Sequence, residues 1–297
     1  MSEFLQLCFA GLALGTRYAL VALGFVIIYR ATGVINFAQG GLLLIGAYLA
    51  YAFNRTGMPF VFAVLLAIAV SAILGALTER IVLRKMVGQP VFAVVMVTIG
   101  LLFIADQVVT SIWGFDALNL NDPWGVDTVA VGDVVLAVKD LWTIALAGAV
   151  LLGFFAFFRY SKLGVAMRAT AFDQEAALAQ GISARQVFGV SWAISAALAC
   201  LAGVTVAAGP AALAPGIGSI ALVAFPAMIV GGLDSPIGAV IGGIVIGLTQ
   251  ALTAGYQQDL FSWAGSNFAA VSPYVVMVLI LLVRPYGLFG TKEVRRV

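Results

Sequence analysis

Histidine is absent from the 297 residues of this chain. Its absence removes the commonest general base, metal ligand and proton shuttle together. Charge is scarce as well: 9% of the residues are Asp, Glu, Lys or Arg, against about 25% in a soluble domain. The net charge of +2 is too small to point to a nucleic-acid partner. Cysteine occurs twice, as Cys8 and Cys200 in separate apolar segments without metal-ligand spacing, so both read as small hydrophobes. No G-x-x-x-x-G-K-[ST] phosphate loop is written anywhere, so the chain cannot by itself cradle ATP. No nucleophile, metal set or acid–base pair suggests a membrane enzyme. The opening Met-Ser-Glu-Phe has no basic n-region and is not expected to be a cleaved signal peptide.

What is present is apolar: 63% of the residues are hydrophobic and the mean hydropathy is +1.12. The expected class is an all-α, polytopic integral membrane protein forming one transmembrane domain over 1–297. A spanning helix needs about 20 apolar residues. Scanning at that length gives segments near 4–29, 36–53, 59–78, 91–112, 141–158, 188–208, 213–231, 236–254 and 270–284, eight or nine crossings in all. The seventh and eighth are the least secure, because Pro215, Gly216, Gly218, Pro226 and Pro236 break them into shorter or re-entrant pieces. Basic residues collect in cytoplasmic loops. Arg80, Arg84, Lys85, Arg159, Lys162, Arg168, Arg185, Arg284, Lys292, Arg295 and Arg296 fall in one set of loops. The opposite loop, about 113–140, holds Asp116, Asp122, Asp127, Asp133 and Asp140 against Lys139 alone. The C-terminus is therefore expected in the cytoplasm and the acidic loop outside.

One polar island, "RATAFDQEAALAQGISARQ", lies in the cytoplasmic loop about 159–187. Thr170 is expected to cap a helix starting at Ala171, with Asp173 in its first turn where the helix dipole favours a negative charge. Gly181 supplies a left-handed residue to end it, and Ser183 with Gln186 matches a capping box for the next span. Phe172, Ala176 and Ala179 share one face. That face suits either an interfacial helix resting on the membrane or a docking helix for a soluble partner.

A second polar break is "YRATGVINFAQGG", residues 29–41. Such a break is tolerated at membrane depth only where it is buried in protein or lines a water-filled cavity; otherwise it is a plain cytoplasmic turn. Arg17, Thr98, Asp106 and Gln250 are the polar residues expected within spans, and are functional candidates because charge at membrane depth is costly. Arg17 and Asp106 form a candidate ion pair, with Asp106 expected to be buried. Gly238, Gly242, Gly243 and Gly247 give overlapping G-x-x-x-G spacings, and Gly11 with Gly15 gives another, which read as helix-packing surfaces. Sparse intramembrane charge leaves an ion-coupled secondary transporter weakly supported. A passive channel for urea or another small neutral solute stays open on composition.

"ALGFVIIYRATGVINFAQGGLLLIGAYLA", "FAVVMVTIGL", "AMRATAFDQEAALAQGI" and "VGGLDSPIGAVIGG" occur in the order found in permeases of high-affinity branched-chain amino acid ABC importers, which the chain resembles from about residue 10 to 290. Glu175-Ala176-Ala177 followed by Gly181 resembles the EAA-x-x-x-G coupling motif of such subunits. The resemblance implies a second related permease, two cytoplasmic ATPases that use ATP and magnesium, and a periplasmic or lipid-anchored binding protein, with no cofactor bound by this chain. It makes Arg168 and Glu175 polar contacts in an ATPase groove, with Phe172 on the docking face. Ala176 and Ala177 become the small surface that fits the groove and Gly181 the turn, so a bulky Ala177 would uncouple transport without unfolding the domain. It gives Asn36 and Gln39 a pathway or gate role, to which Thr98 is added as a polar residue of the fourth span; in an importer of this kind the outer loop with Trp113, Trp124 and the five aspartates is expected to help receive the solute. Gln39 and Gly41 stand where an "NFAHGE" or "NFAHGD" form is usual, which puts the substrate in doubt more than the fold. Urea, short amides and aromatic acids are alternatives to branched-chain amino acids, and a homodimer is an alternative to a heterodimer.

Overall fold

The structure is a computed structural model that describes residues 2–210, 212–260 and 267–291; Lys292, Arg295 and Arg296, read above as cytoplasmic charges, lie outside the described residues. The elements run α1 (Ser2–Thr32), α2 (Gln39–Arg55), α3 (Phe60–Ile81), α4 (Val91–Trp113), β1 (Thr128–Val131), β2 (Val134–Ala137), α5 (Val138–Tyr160), α6 (Lys162–Phe172), α7 (Gln174–Ala179), α8 (Ala184–Ala207), α9 (Ile220–Gly231), α10 (Pro236–Leu260) and α11 (Phe268–Val283). Among the described residues six helical stretches are long and apolar enough to cross a membrane: α1, Phe60–Met86, α4, α5, α8 and Pro236–Gln258. α2 and α11 are shorter, at 17 and 16 residues.

Proline and glycine divide the segment expected over 213–231. Pro215 opens a 3₁₀ turn through Ser219, and only the 12 residues of α9 follow before Gly232 at φ 110° ends the helix. Twelve residues rise about 18 Å, short of an about 30 Å hydrocarbon core. The next segment, expected to be just as insecure, is instead a continuous helix of 25 residues. Pro236 stands at its first position, where the missing N–H has no partner to lose.

α1 is the central element. It is buried without interruption from Tyr18 to Ile28 and packs against α10, α8, α9 and α5. Its closest neighbour is α10, because glycines on both helices let the backbones meet. A methyl group at Gly15 would lie 2.7 Å from Ile244 Cα, one at Gly11 2.9 Å from Leu248 Cα, and one at Gly247 would strike the Gly15 backbone. Gly243 abuts Ala19, while Gly238 and Gly242 abut Gly231 and Ala227 on α9. The two glycine pairs of α10 are thus used within the chain, one against α1 and one against α9. Across the bundle α3 lies on α8 and α2 bridges α8, α3 and α4.

The loop between α4 and α5 carries the two-stranded element among the described residues, an antiparallel β1–β2 hairpin pairing Thr128 with Ala137 and Val131 with Val134. Asp122 pins the loop, its carboxylate accepting from Gly209 N at 2.8 Å and Gly125 N at 3.1 Å. The tryptophans read as part of a receiving surface are engaged in packing. Trp124 is buried against Phe60 and Trp142, and Trp113 lies 5.3 Å from the Tyr48 ring.

The expected Arg17–Asp106 pair does not form. Arg17 Nη2 donates to Asp140 Oδ1 at 2.9 Å, with both side chains largely buried. Asp106 sits on an exposed face of α4, a helix that packs against α2, so it is neither buried nor turned toward α1. The ion pair ties the middle of α1 to the first turn of α5.

If α1 and α10 depend on glycine for their approach, Gly247→Leu will force them apart at a cost of about 3 kcal/mol or more. Its unfolding midpoint in detergent should fall well below that of Gly148→Ala, a control position where an added methyl meets nothing within 4 Å. Equal midpoints for the two variants would remove the glycine contact as a stability determinant.

Candidate translocation and coupling site

The break after α1 is a turn that is exposed at Gly33 and becomes buried at Asn36. Gly33 at φ 71° reverses the chain, its N–H bonding to Tyr29 O at 2.7 Å. Asn36 Oδ1 accepts from Ala38 N at 3.0 Å, an Asx turn that starts α2. The Phe37 N–H donates to Thr98 Oγ1 at 3.2 Å, and that hydroxyl donates to Val95 O at 2.8 Å. The polar groups named here therefore find their partners within the protein, as burial requires. Phe37 also stacks on Phe225 of α9 at 5.9 Å.

Asn36 and Thr98 are each 1% exposed and line one cavity of about 240 Å³, between the ends of α1 and α3, the start of α4 and the front of α7. Ile28, Val34, Val94 and Trp192 make it mainly apolar. Its buried Glu79 is neutralised by Arg84, with Nε to Oε1 at 3.1 Å and Nη2 to Oε2 at 2.7 Å. Asn36 Nδ2 has no partner among the described residues. The cavity thus offers one buried, unpartnered amide donor in apolar surroundings, with the amides of Gln89 and Gln174 at its exposed rim.

Gln39 does not share this cavity. It is 0% exposed, and its amide lies against Ser195 of α8, whose hydroxyl is 2.8 Å from Gln39 Oε1 and 2.9 Å from Gly24 O. A methyl group at Gly24 would strike the Gln39 amide. Gln39 therefore locks α1, α2 and α8 together, and of the three residues read as a gate the structure unites only Asn36 and Thr98.

The polar island folds as two helices. α6 runs through Thr170, whose hydroxyl bonds back to Ala166 O at 2.9 Å, so Thr170 lies in the last turn of α6 and is not an N-cap. Asp173 is the cap: its Oδ1 accepts from Ala176 N at 2.9 Å, the short-range bond that competes best with helix continuation. α7 ends in a Schellman motif, with Gly181 N bonded to Leu178 O and Ile182 N to Ala177 O, both at 3.0 Å, and Gly181 at φ 81°. Ser183 then caps α8 through Gln186 N at 3.4 Å.

These caps fix which way α7 faces. Ala177 is 5% exposed, whereas Phe172 is 94% and Leu178 52% exposed; Ala176 and Glu175 are exposed as well. The expected docking role of Ala177 is thus corrected, because the turn between α6, α7 and α8 leaves it facing its own chain. Arg168 is likewise engaged internally. Its guanidinium donates to Phe158 O and Arg159 O and lies over the Phe158 ring, closing the C-terminal end of α5, where free carbonyls favour a cation.

Sequence reasoning missed Ser195, Glu79 and Asp234, the last of which accepts from Thr291 N and Oγ1. Glu79 alone had a local signal, an acid five residues before Arg84 in a basic turn. Ser195 and Asp234 find partners more than fifty residues away, which no local pattern shows.

The model of the family described as branched-chain amino acid transport system, permease component, matches residues 7–283. The high-affinity branched-chain amino acid transport system permease protein LivH of Escherichia coli (strain K12) is 30% identical over 99% of this chain and 98% of its own length. The corresponding permease protein BraD of Pseudomonas aeruginosa is also 30% identical, over 99% and 98%. Among solved structures, PsaBC from Streptococcus pneumoniae in complex with Fab matches with a TM-score of 0.49 at 15% identity, over 97% of this chain and 94% of that one. A family model spanning nearly all of the chain, with full-length relatives at this identity, leads to one assignment: the chain belongs to the family of permease components of branched-chain amino acid transport systems.

Proposed function

We propose that this permease forms one wall of the translocation pathway of an ATP-driven importer for branched-chain or other hydrophobic amino acids. A second related permease supplies the facing wall, two cytoplasmic ATPases bind and hydrolyse ATP with magnesium, and an extracytoplasmic binding protein delivers the solute. The chain itself binds no cofactor. It resides in a bacterial inner membrane, with its basic loops and C-terminus on the cytoplasmic side.

The observation that carries this reading is the α6–α7 corner. Phe172 and Leu178 project from a capped helical pair in the basic set of loops, and none of the described residues covers them. An apolar pair held on rigid, capped helices suits a groove in a soluble partner better than water. Closure of the ATPase pair then moves α6 and α7 as a body. Gln174, at the front of α7, lines the Asn36 cavity, so that movement reaches the pathway directly.

The wall facing the second permease is assigned to α4. Asp106 and Gln107 lie exposed about seven residues from its outer end, roughly 10 Å deep at 1.5 Å per residue. A carboxylate facing lipid at that depth is costly, which favours a wet pathway or a protein interface there. Selectivity rests with the binding protein, since the buried part of the cavity presents a single unpartnered donor among mainly apolar walls.

The test is extraction of the complex from native membranes in mild detergent, with identification of the co-purifying chains and assay of ATP hydrolysis. Two ATPases and a second permease are expected. Leu178→Asp should lower uptake about tenfold or more, the loss of one interface hot spot, at unchanged membrane abundance. Ala177→Leu should instead reduce abundance, because it overfills a buried position. A chain that elutes alone, with Leu178→Asp fully active, would leave α7 as a membrane-surface helix.

Asn36→Asp keeps the Oδ1 acceptor of the Asx turn and removes the free amide donor. Uptake rate should fall while the order of preferred solutes stays the same. A changed order in a competition assay would place selectivity in this cavity.

A further inference from the structure

Two depressions on the side of the bundle meet at Leu163 and Val190. The first, about 500 Å³, lies at the basic end, walled by Glu79, Arg80, Arg84, Arg185 and Gln186. The second, about 460 Å³, is a slot between α3, α5 and α8, lined by Ile68, Val150, Gly153, Phe157, Ile194 and Leu201. Each was formed by a different set of helices, yet they share two wall residues and make one continuous groove.

Charge and depth define what the groove can hold. Glu79 is already paired with Arg84, and among the described residues Arg80 and Arg185 form no ion pair. The basic mouth therefore has two guanidinium groups free for an anion. The slot is entirely apolar and lies within three membrane-spanning stretches, Phe60–Met86, Val138–Tyr160 and Ala184–Ala207. Along α8 it extends from Val190 to Leu201, about 17 Å at 1.5 Å per residue, close to the roughly 15 Å depth of one leaflet's hydrocarbon. Beside Gly153 the slot is open, with no atom within 4 Å of an added methyl.

We infer that this groove binds an anionic phospholipid, its phosphate held between Arg80 and Arg185 and one acyl chain laid in the α3–α5–α8 slot. Basic pockets between spanning helices select anionic headgroups in this way. The acidic surface of a soluble partner matches the arginines but has no means of filling a slot at hydrocarbon depth, so the lipid is the occupant that uses both halves. Its acyl chain fills the slot bounded by α3, α5 and α8, which α6 borders at Leu163. The inference rests on the chain spanning a bilayer and is independent of which solute is carried.

The test uses the purified, delipidated full chain, with its partners where they co-purify, and follows the unfolding midpoint as lipid is added. Phosphatidylglycerol at a hundredfold excess over its Kd should raise the midpoint by about 5 °C, whereas phosphatidylcholine with the same acyl chains, or inorganic phosphate alone, should not. Arg80→Gln with Arg185→Gln should abolish the rise by removing the anion site. Gly153→Leu should abolish it by filling the slot, and Gly153→Val serves if the leucine variant does not elute as a single species. An equal response to phosphatidylcholine, or a full response to inorganic phosphate, overturns the proposal. So does an undiminished lipid response in the Gly153 variant, or arginine variants that lose the ATPases while responding normally to lipid, which would make the mouth a protein interface. Failure of the importer reading would appear separately, as a chain without ATPases that still responds to phosphatidylglycerol.

Discussion

The backbone contact of α1 with α10 is the constraint on which the other packing depends. Between helices in lipid there is little hydrophobic drive, since the surrounding tails are as apolar as the side chains, and association comes from dispersion at close range. Gly11 and Gly15 on one helix and Gly243 and Gly247 on the other remove the side chains that would hold the axes apart. With α10 fixed on one side of α1, its second glycine pair receives α9. α8 covers another face, and Arg17 with Asp140 ties on α5. α1 becomes a helix enclosed by protein, which is why its apolar residues show no one-sided stripe.

Enclosure of α1 has a consequence at its end. The chain turns back at the exposed Gly33 and is buried again by Asn36, and each buried amide and carbonyl there needs a partner. Asn36 and Thr98 supply two of those bonds from side chains. The small, partly polar cavity beside them follows from that arrangement. Gln39, three residues on, is held by Ser195, whose hydroxyl also reaches the carbonyl of Gly24, so a single polar stretch serves two purposes: Asn36 borders a cavity and Gln39 clamps three helices.

The α6–α7 corner is built on a different principle, local capping. Asp173 stops α6 and starts α7 with one side chain, and the Schellman bonds at Gly181 stop α7 after a turn and a half. Rigid ends hold Phe172 and Leu178 outward and Ala177 inward. The neighbouring seam between α3, α5 and α8 leaves an open slot, and Arg80 and Arg185, without an ion pair among the described residues, stand at its mouth. Corner and seam share α6 and α8, so packing in one bears on the position of the other.

The sequence by itself determined the membrane class, the order of the apolar segments, the broken helix near Pro215 and the left-handed turn at Gly181. These follow from hydropathy over about twenty residues and from backbone preferences of Pro and Gly, which act within a few residues. The family was legible too, because its marked stretches fall in order along the chain. Only tertiary structure decided that Arg17 meets Asp140 and not Asp106, and that Gln39 belongs to Ser195. It also decided that Ala177 faces inward and that α10 shares its glycines between α1 and α9. Each of those depends on the rotation of one helix about its axis relative to another. Hydropathy is nearly uniform around these helices, so the rotation is set by close contacts between residues far apart in the chain, and the sequence pattern does not carry it.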